Sequence, residues 1–446
     1  MQRTYASVDM LDRPFHFAVV LWGERFRNYF LYYCLPSLLS PGNIPSLATR
    51  RPSKFLIATL PDDWAAMRET AIFKKLESYI EPVYLEIPAC PPGRHGCEHI
   101  GVGHKLTCEV SFREKAYAVH ATPDCMFSDG AIARVQALAR EGMEVVVCAA
   151  LRFAEEPVFQ NLQSRGLIPR QCARDTGEPL VLPARDLTWA AINGLHSETL
   201  TYEWEGPYFA PRPAAAWWRV PDEDGVVLHC LSWFPLLLDF ASVKELDVSM
   251  LDYWTIDGDF LHRNVGSSEA VHVVEDSDEA FVVSWTPSAE RLESTKRLAL
   301  LENTSARELI HAVQLRRTYY GPYIDQFKRR MFVHTVRWHG RPLTGAWRQV
   351  ENKASQILSA FIDEVRAGGE VPAPAWRSLV RITCAVSSVC EPMVHVWFHH
   401  GAVRRRLAQI LRGDRDAMRR ALWHVERIAY EFWGRPFNKS APKPPA

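Results

Sequence analysis

The sequence lacks long apolar runs and an excess of charge of either sign. No segment of its 446 residues reaches the roughly 18–20 consecutive apolar residues that a transmembrane helix needs. Lys and Arg together number 52, as do Asp and Glu, and this balance argues against a dedicated nucleic-acid binder. Asp9, Asp12 and Arg13 interrupt any amino-terminal apolar run that could form a signal peptide. We therefore expect a soluble, cytoplasmic protein that does not bind nucleic acid.

Several enzyme signatures are also missing, because the sequence contains no GxGxxG, Walker, HExxH or GxSxG motif and no internal repeat. Its ten cysteines are scattered, and several lie inside apolar runs, as reduced thiols do in cytosolic proteins. A hydrophobic content of 47%, with 15 Trp and 21 Phe, excludes global disorder. The length allows two or three domains, or one large α/β domain with a helical extension.

One short stretch concentrates potential zinc ligands: Cys90, His95, Cys97, His99 and His104. No CxxC pair is present, and the Pro and Gly residues around position 92 are typical of an ordinary loop. We interpret the stretch as a loop that covers a nucleotide, with Lys105 facing phosphate at a helix start. A solvated Lys105 is an equally good interpretation.

The first hundred residues alternate between apolar strands and amphipathic helices. Strands are predicted near 15–22, 54–60 and 83–87, and this order requires a parallel, right-handed βαβαβ half-sheet. Such a half-sheet is a mononucleotide-binding layout. The polar residues just past its first two strands are the candidates for base and ribose contacts, although each could equally be a cap or a surface charge. They are Glu24, Arg25, Asp62 and Asp63.

The stretch from 116 to 152 carries the strongest functional signal. An apolar approach leads into Pro123-Asp124-Cys125-Met126-Phe127-Ser128-Asp129-Gly130, and then come a helix, a buried strand at 145–151 and Arg152. Acids at the carboxyl end of a strand lie where open α/β sheets bind ligands, and hard oxygen ligands suit Mg or Mn beside a diphosphate. The alternatives are a helix N-cap for Asp129 and a simple turn for Asp124.

A second concentration lies between 226 and 286, where strands are predicted near 227–231, 271–274 and 281–285. Asp257-Gly258-Asp259 is an acceptor or catalytic-base site, or alternatively a tight turn. We interpret the acids from Glu275 to Glu279 as a solvated turn in preference to a metal cluster.

From 288 onward the pattern is helical, with helices expected around 307–317, 323–333, 346–367 and 376–390. The arginine-rich stretch 404–432 could contact an anionic membrane or a protein partner, although a solvated face is the default. We predict a first domain over 1–287, a helical region over 288–437 and a disordered tail over 438–446.

The order of these elements resembles the GT-A-type glycosyltransferase superfamily. The resemblance implies an α/β fold with a mixed sheet flanked by helices, followed by a mostly α-helical carboxyl-terminal region. It also implies a nucleotide-sugar donor, bound through Glu24, Arg25, Asp62, Lys105, Asp124 and Arg152. Asp124 would fill the acidic-motif role for Mn or Mg, with Asp129 or His229 as further ligands. The second acid follows after five residues instead of two, and some relatives use basic residues in place of a metal.

The resemblance further implies a general base among the acids of the acceptor half, for which Asp257 and Asp259 are the candidates. We therefore predict a glycosyltransferase that moves a sugar from a nucleotide-diphosphate sugar to an acceptor hydroxyl. One alternative is a sugar-phosphate nucleotidyltransferase, which would normally show a Gly-rich loop where Gly23 stands alone. The other is a non-catalytic scaffold that binds a partner through 404–432.

Overall fold

The computed structural model describes residues 10–92, 96–169, 176–206, 209–252, 255–266, 269–290, 307–319 and 324–366, together with Met418. Within these residues, no helix combines the length and the apolar content needed to cross a bilayer. The predicted contact stretch 404–432, apart from Met418, and the predicted tail 438–446 lie outside the described residues.

The described strands are β1 Phe15–Val20, β2 Lys54–Thr59, β3 Glu81–Glu86, β4 Tyr117–Ala121, β5 Cys125–Phe127, β6 Val145–Ala149, β7 Arg152–Ala154, β8 Ala215–Arg219, β9 Gly225–Cys230, β10 Trp233–Asp239, β11 Val271–Val273, β12 Val282–Thr286 and β13 Val336–His339.

The described helices are α1 Glu24–Tyr29, α2 Leu35–Leu38, α3 Pro61–Arg68, α4 Ala71–Glu77, α5 Gly96–Glu114, α6 Ala131–Arg140, α7 Glu155–Ser164, α8 Ala184–Ile192, α9 Ser197–Leu200, α10 Gly258–Val265, α11 Arg307–Tyr319, α12 Gln326–Met331 and α13 Gly345–Arg366. A π-helical segment, Phe30–Cys34, joins α1 to α2.

A seven-stranded mixed sheet organises the fold, in the order β11-β6-β10-β4-β1-β2-β3. The strands β3, β2, β1 and β4 are parallel, and β10 runs antiparallel between β4 and β6. Both faces of β1 are buried, which explains its unbroken apolar sequence, because a central parallel strand is covered on each side. The α/β class, with a mixed sheet flanked by helices, is as predicted.

Helix α5 covers β1 and β2 at very close range, and glycine permits this approach. A methyl group at Gly103 would lie 2.5 Å from a Val20 side-chain carbon, and one at Gly101 would lie 1.6 Å from the Leu251 carbonyl oxygen. The opposite face of the sheet packs against α6 and the π-helical segment through residues such as Phe17, Phe30 and Ile132.

Two three-stranded sheets extend the fold. Strand β12 lies between β5 and β7, and β9 lies between β8 and β13. The described residues 307–366 are mostly helical, as expected, but they also contain β13, which the helical pattern did not predict. Because β13 pairs with β9 from Val336 to His339, this part of the chain is joined directly to the preceding sheet. The predicted domain limits, 1–287 and 288–437, stay predictions.

Candidate active site

The sheet has a switch in strand order between β1 and β4. The chain runs from β1 outward to β2 and β3, and α5 then carries it back to β4 on the other side of β1. In open α/β sheets, the crevice outside the carboxyl ends of the strands at such a point is the usual ligand site. Gly23 follows the end of β1, and Asp124 follows the end of β4. Asp124 therefore lies at the position where this topology places a ligand.

Asp124 forms an ion pair with Arg152, which follows the end of β6. The Arg152 Nη1 atom lies 3.1 Å from the Asp124 Oδ2 atom and donates a second hydrogen bond, of 2.6 Å, to the Ser284 hydroxyl. The Arg152 side chain is 47% exposed and that of Asp124 18% exposed, so the guanidinium remains open to solvent. The structure thus brings together Asp124 and Arg152, two of the residues predicted to bind the nucleotide sugar. It adds Ser284, which lies on β12 and was not predicted.

Of the three acids that follow β1 and β2, Glu24, Asp62 and Asp63, only Asp63 is buried. Its carboxylate accepts hydrogen bonds from the Gly23 backbone N–H at 2.8 Å and from the Arg27 guanidinium at 2.6 Å. Asp62 and Glu24 are exposed in the first turns of α3 and α1. Asp63 therefore fixes the backbone that follows β1, whereas Asp62 and Glu24 remain available at the rim.

Arg25 lies on the exposed side of α1, where it contacts a residue distant in sequence. Both of its terminal nitrogens lie 3.1 Å from the Glu290 Oε1 atom, and its Nε atom donates a hydrogen bond of 3.3 Å to the Tyr29 hydroxyl. Lys105 lies near the middle of α5, not at its start, and its Nζ atom is 2.6 Å from the Asp252 Oδ1 atom. Among their described contacts, neither cation touches Asp124.

Asp129 does not share a site with Asp124, because strand β5 separates them. The three extended residues of β5 alone span roughly 10 Å, beyond the reach of one ion. The Asp129 Oδ1 atom accepts a hydrogen bond of 2.8 Å from the Gly42 N–H, and no side chain caps α6, so the predicted N-cap is not formed either. The short strand β5 was not predicted, and the two acids were placed together for that reason.

His229 lies inside the small sheet, on the central strand β9. Its Nδ1 atom donates to the Phe332 carbonyl oxygen at 3.0 Å, and its Nε2 atom lies 3.4 Å from the Thr335 hydroxyl. Complete burial lowers the pKa of His229 to about 4. Neither of these two contacts involves Asp124. The predicted set Asp124, Asp129 and His229 therefore does not fit a shared Mn or Mg ion, and no chemical step is assigned to one there.

The two predicted base candidates lie at the start of α10. This helix leads into β11, which is parallel to β6. The Asp257 carboxylate accepts from the Asp259 N–H at 3.0 Å and from the Lys328 ammonium at 2.7 Å. The Asp259 carboxylate has a longer contact, of 3.4 Å, with Arg263. Asp257 thus caps the helix, and Asp259 is less tightly held.

Lys328 was not predicted, and no local signal in the sequence connects it to position 257. Burial lowers the pKa of Lys328, but the carboxylates of Asp257 and Asp325 more than offset this effect and raise it. Burial also raises the pKa of the Asp325 carboxyl. The close approach depends on Gly258, since a methyl group there would lie 2.6 Å from the Lys328 side chain.

A second unpredicted pair borders the crevice. The Tyr29 hydroxyl donates a hydrogen bond of 2.5 Å to Glu155, at the start of α7, and burial raises the pKa of both groups. The Tyr29 ring packs edge-on against the Trp285 ring at 5.4 Å between centroids, and the Trp285 backbone N–H donates to the Asp124 carbonyl oxygen at 3.2 Å. An aromatic wall therefore connects α1 to the Asp124 backbone.

Among the described residues, three side chains have the spacing of a metal centre: Asp276, Asp278 and His339. Asp276 and Asp278 lie in the turn after β11, which we interpreted from the sequence as a solvated turn in preference to a metal cluster. His339 lies on β13. Within the stretch from Cys90 to His104, which we interpreted as a nucleotide-covering loop in preference to a zinc site, His99 contacts the Pro88 carbonyl oxygen at 2.9 Å and His104 the Thr255 hydroxyl at 3.3 Å. His95 lies outside the described residues.

Comparisons with known proteins place the chain in no family. No family model matches the sequence, and no curated protein matches it. One similar solved structure is TarS from S. aureus, with 7% identity and a TM-score of 0.21 over 40% of this chain. The match spans only 34% of the TarS chain.

A second similar structure is a putative glucose-1-phosphate thymidylyltransferase from Bacillus anthracis in complex with a sucrose. Its identity is 14% and its TM-score 0.29, over 66% of this chain and 98% of that chain. Both TM-scores are too low for the likeness to carry a functional conclusion.

Proposed function

We propose that the protein is a glycosyltransferase that moves a sugar from a nucleotide-diphosphate sugar to an acceptor hydroxyl. The observation that carries the proposal is the partly exposed Asp124–Arg152 pair beside the switch between β1 and β4. A guanidinium held in place by a carboxylate, at the edge where open α/β sheets bind nucleotides, is suited to a diphosphate.

Arg152 stabilises the leaving group in this mechanism. As the bond between the anomeric carbon and the diphosphate breaks, negative charge develops on the departing oxygens. Cationic donors that already point at that charge lower the barrier without reorganising. Asp124 and Ser284 hold the guanidinium in place through the contacts of 3.1 and 2.6 Å. We therefore assign to Arg152 the positive charge that stabilises the leaving diphosphate.

Asp259 supplies the general base in the proposal, and Asp257 positions it. The Asp257 carboxylate is occupied by the Asp259 N–H and the Lys328 ammonium, whereas the nearest cation to the Asp259 carboxylate is 3.4 Å away. A base must be able to reach the acceptor hydroxyl, whose proton it takes as the oxygen attacks. The less engaged carboxylate suits that role better.

The products distinguish this proposal from a nucleotidyltransferase and from a scaffold. The protein is incubated with nucleotide sugars and simple glycoside acceptors, and separately with nucleotide sugars and pyrophosphate. Release of nucleoside diphosphate, lost in Arg152→Gln, supports the glycosyltransferase. Formation of nucleoside triphosphate with pyrophosphate indicates the nucleotidyltransferase, and no product from any donor, with no nucleotide binding, indicates the scaffold.

A further inference from the structure

The turn from Glu275 to Glu279 is held in place by residues that follow position 307. The Arg337 N–H donates to the Glu275 carbonyl oxygen at 2.7 Å, and the Ser277 N–H donates to the Arg337 carbonyl oxygen at 2.9 Å. The His339 N–H donates to the Ser277 hydroxyl at 3.1 Å. These backbone bonds bring the His339 side chain directly against the acids of the turn.

The hydrogen bonds of His339 fix the roles of its two ring nitrogens. Its Nδ1 atom lies 2.7 Å from the Arg341 carbonyl oxygen, which can only accept, so Nδ1 carries a proton. Its Nε2 atom lies 2.8 Å from the Asp276 Oδ1 atom, in a side chain only 3% exposed. The 2.8 Å distance is that of a hydrogen bond, so the positive charge between the two atoms is a proton on Nε2 unless a bound cation takes its place.

The geometry fits a metal ion as the source of that charge. One ligand atom each from Asp276, Asp278 and His339 can be chosen so that all three lie within 4.8 Å of one another. Zinc binds imidazole nitrogen and carboxylate oxygen at about 2.0–2.2 Å, and its ligands then lie roughly 3–3.5 Å apart. A metal-binding histidine almost always donates its other N–H to a carbonyl or carboxylate, as His339 does to Arg341.

The other acids of the turn are already paired, so a cation would be shared by Asp276 and Asp278 alone. Glu275 pairs with His334 at 2.8 Å, and Glu279 pairs with His272 at 2.8 Å and with Arg134 at 2.7 Å. Arg185 binds Asp278 at 2.7 Å, but its side chain is 47% exposed. Three hydrogen bonds of 2.7–3.0 Å join Arg185 to both oxygens of Asp278, so a divalent ion at this site has to displace the guanidinium.

We propose that Asp276, Asp278 and His339 form a binding site for a divalent cation of the Zn²⁺ type, which ties β13 to the turn after β11. Imidazole with two carboxylates suits Zn²⁺ or Mn²⁺ better than Mg²⁺, which prefers oxygen ligands alone. This site is independent of the proposed transfer reaction, and neither depends on the other.

The test is calorimetric titration of the chelator-treated full chain with Zn²⁺, and then with Mn²⁺ and Mg²⁺. We expect one Zn²⁺ equivalent and a rise in melting temperature on zinc binding, both of which are lost in Asp276→Asn and His339→Gln. Arg185→Gln removes the competing cation and should tighten binding by about 2- to 5-fold. Asp186→Asn, in the exposed Arg165–Asp186 pair, is the matched control and should change nothing.

Zinc that binds elsewhere on the chain remains in every variant, so the difference between variants identifies this site. Equal zinc binding in the wild type, Asp276→Asn and His339→Gln would overturn the proposal. A His339 ring that NMR shows doubly protonated, and unchanged by zinc, would also overturn it. If His339→Gln does not fold, the surface variant Arg185→Gln decides, since unchanged affinity there contradicts the site.

Discussion

Arg152 and Asp124 come from the ends of two strands that are not neighbours in the sheet, because β10 lies between β4 and β6. Their contact therefore results from the loops that follow the strands. Arg152 has two partners, at 3.1 and 2.6 Å, and these define where its guanidinium points. At the residue scale, the account depends on that orientation.

Replacing Arg152 tests its assigned role. Arg152→Gln should lower kcat by about 10²–10³-fold, the usual cost of losing one preorganised donor to developing charge. Arg152→Lys should recover only part of this loss, because an ammonium cannot reproduce the planar guanidinium contacts. Steady-state kinetics with a donor sugar measures both variants. Arg165→Gln, in an exposed pair with Asp186, is the control, and full activity of Arg152→Gln would contradict the role.

Buried histidines make the stability of the fold sensitive to acid. Burial lowers the pKa of His104 to about 4 and that of His120 to about 3, against 6.5 for an ordinary histidine. As the pH falls below 6.5, the unfolded chain takes up these protons first. The stability that these groups contribute is therefore fully present above pH 6.5 and is lost as the pH falls towards 4 and 3.

His120→Leu isolates this effect, because both ring nitrogens of His120 are buried without a hydrogen-bond partner. Urea unfolding measured from pH 7 to pH 4.5 should show a flatter pH dependence in the variant. The slope should fall by up to about 1.4 kcal/mol per pH unit, the value for one proton. An unchanged slope would mean that His120 takes up its proton in the folded protein.

At the scale of the elements, α5 must lie close to the segment before α10. Gly101→Ala should destabilise the protein by about 1–3 kcal/mol or prevent folding, because the new methyl group meets the Leu251 backbone at 1.6 Å. Gly96→Ala, in the same helix, is the matched control, since its nearest neighbour, Trp22, would be 3.8 Å away. Chemical denaturation compares the two variants. Equal stabilities would contradict the close packing.

The contact between α10 and α12 depends on a buried lysine. Lys328→Met leaves the carboxylates of Asp257 and Asp325 buried without their ammonium partner and should cost about 3–5 kcal/mol. Lys353→Met removes an exposed pair with Glu205 and should cost less than about 1 kcal/mol. Denaturant midpoints measure the difference, and a Lys328→Met protein as stable as Lys353→Met would show that the pair is not needed.

Strands β1 and β2 were predictable from the sequence, whereas β5 and β13 were not. Strands β1 and β2 are buried and continuous, so their composition alone indicates them. Strand β5 has three residues, too few for a pattern, and for that reason Asp124 and Asp129 were placed together. Strand β13 contains Arg337 and His339, whose partners Glu351 and Asp276 are fixed only by the folded chain.

The candidate site was predicted in part for the same reason. Asp124 and Arg152 follow apolar strands, so the sequence pattern indicates their place at the sheet edge. The partners Ser284, Glu155 and Lys328 lie 132, 126 and 71 positions from the residues they contact, and no local pattern encodes such contacts. The sequence indicated the edge of the sheet, whereas the side-chain pairs required the fold.

At the scale of the whole molecule, described residues after position 307 pair directly with strands and side chains from the earlier part of the chain. Strand β13 pairs with β9, Lys328 holds Asp257, and His339 holds Asp276. We therefore expect the protein to unfold in one transition, with no separate melting of the part after 287, as differential scanning calorimetry would measure. Two resolved transitions, one removed by truncation at 287, would contradict this expectation.

Nucleotide binding tests the central claim most directly. The protein and its Asp124→Asn, Arg152→Gln and Arg165→Gln variants are each melted with UDP, GDP, CMP and their sugar conjugates, with and without Mn²⁺. The account predicts a rise in melting temperature for one nucleotide class, reduced in the first two variants and kept in Arg165→Gln. A flat panel, or a rise unchanged by Asp124→Asn and Arg152→Gln, would contradict a nucleotide site at the carboxyl ends of β1 and β4.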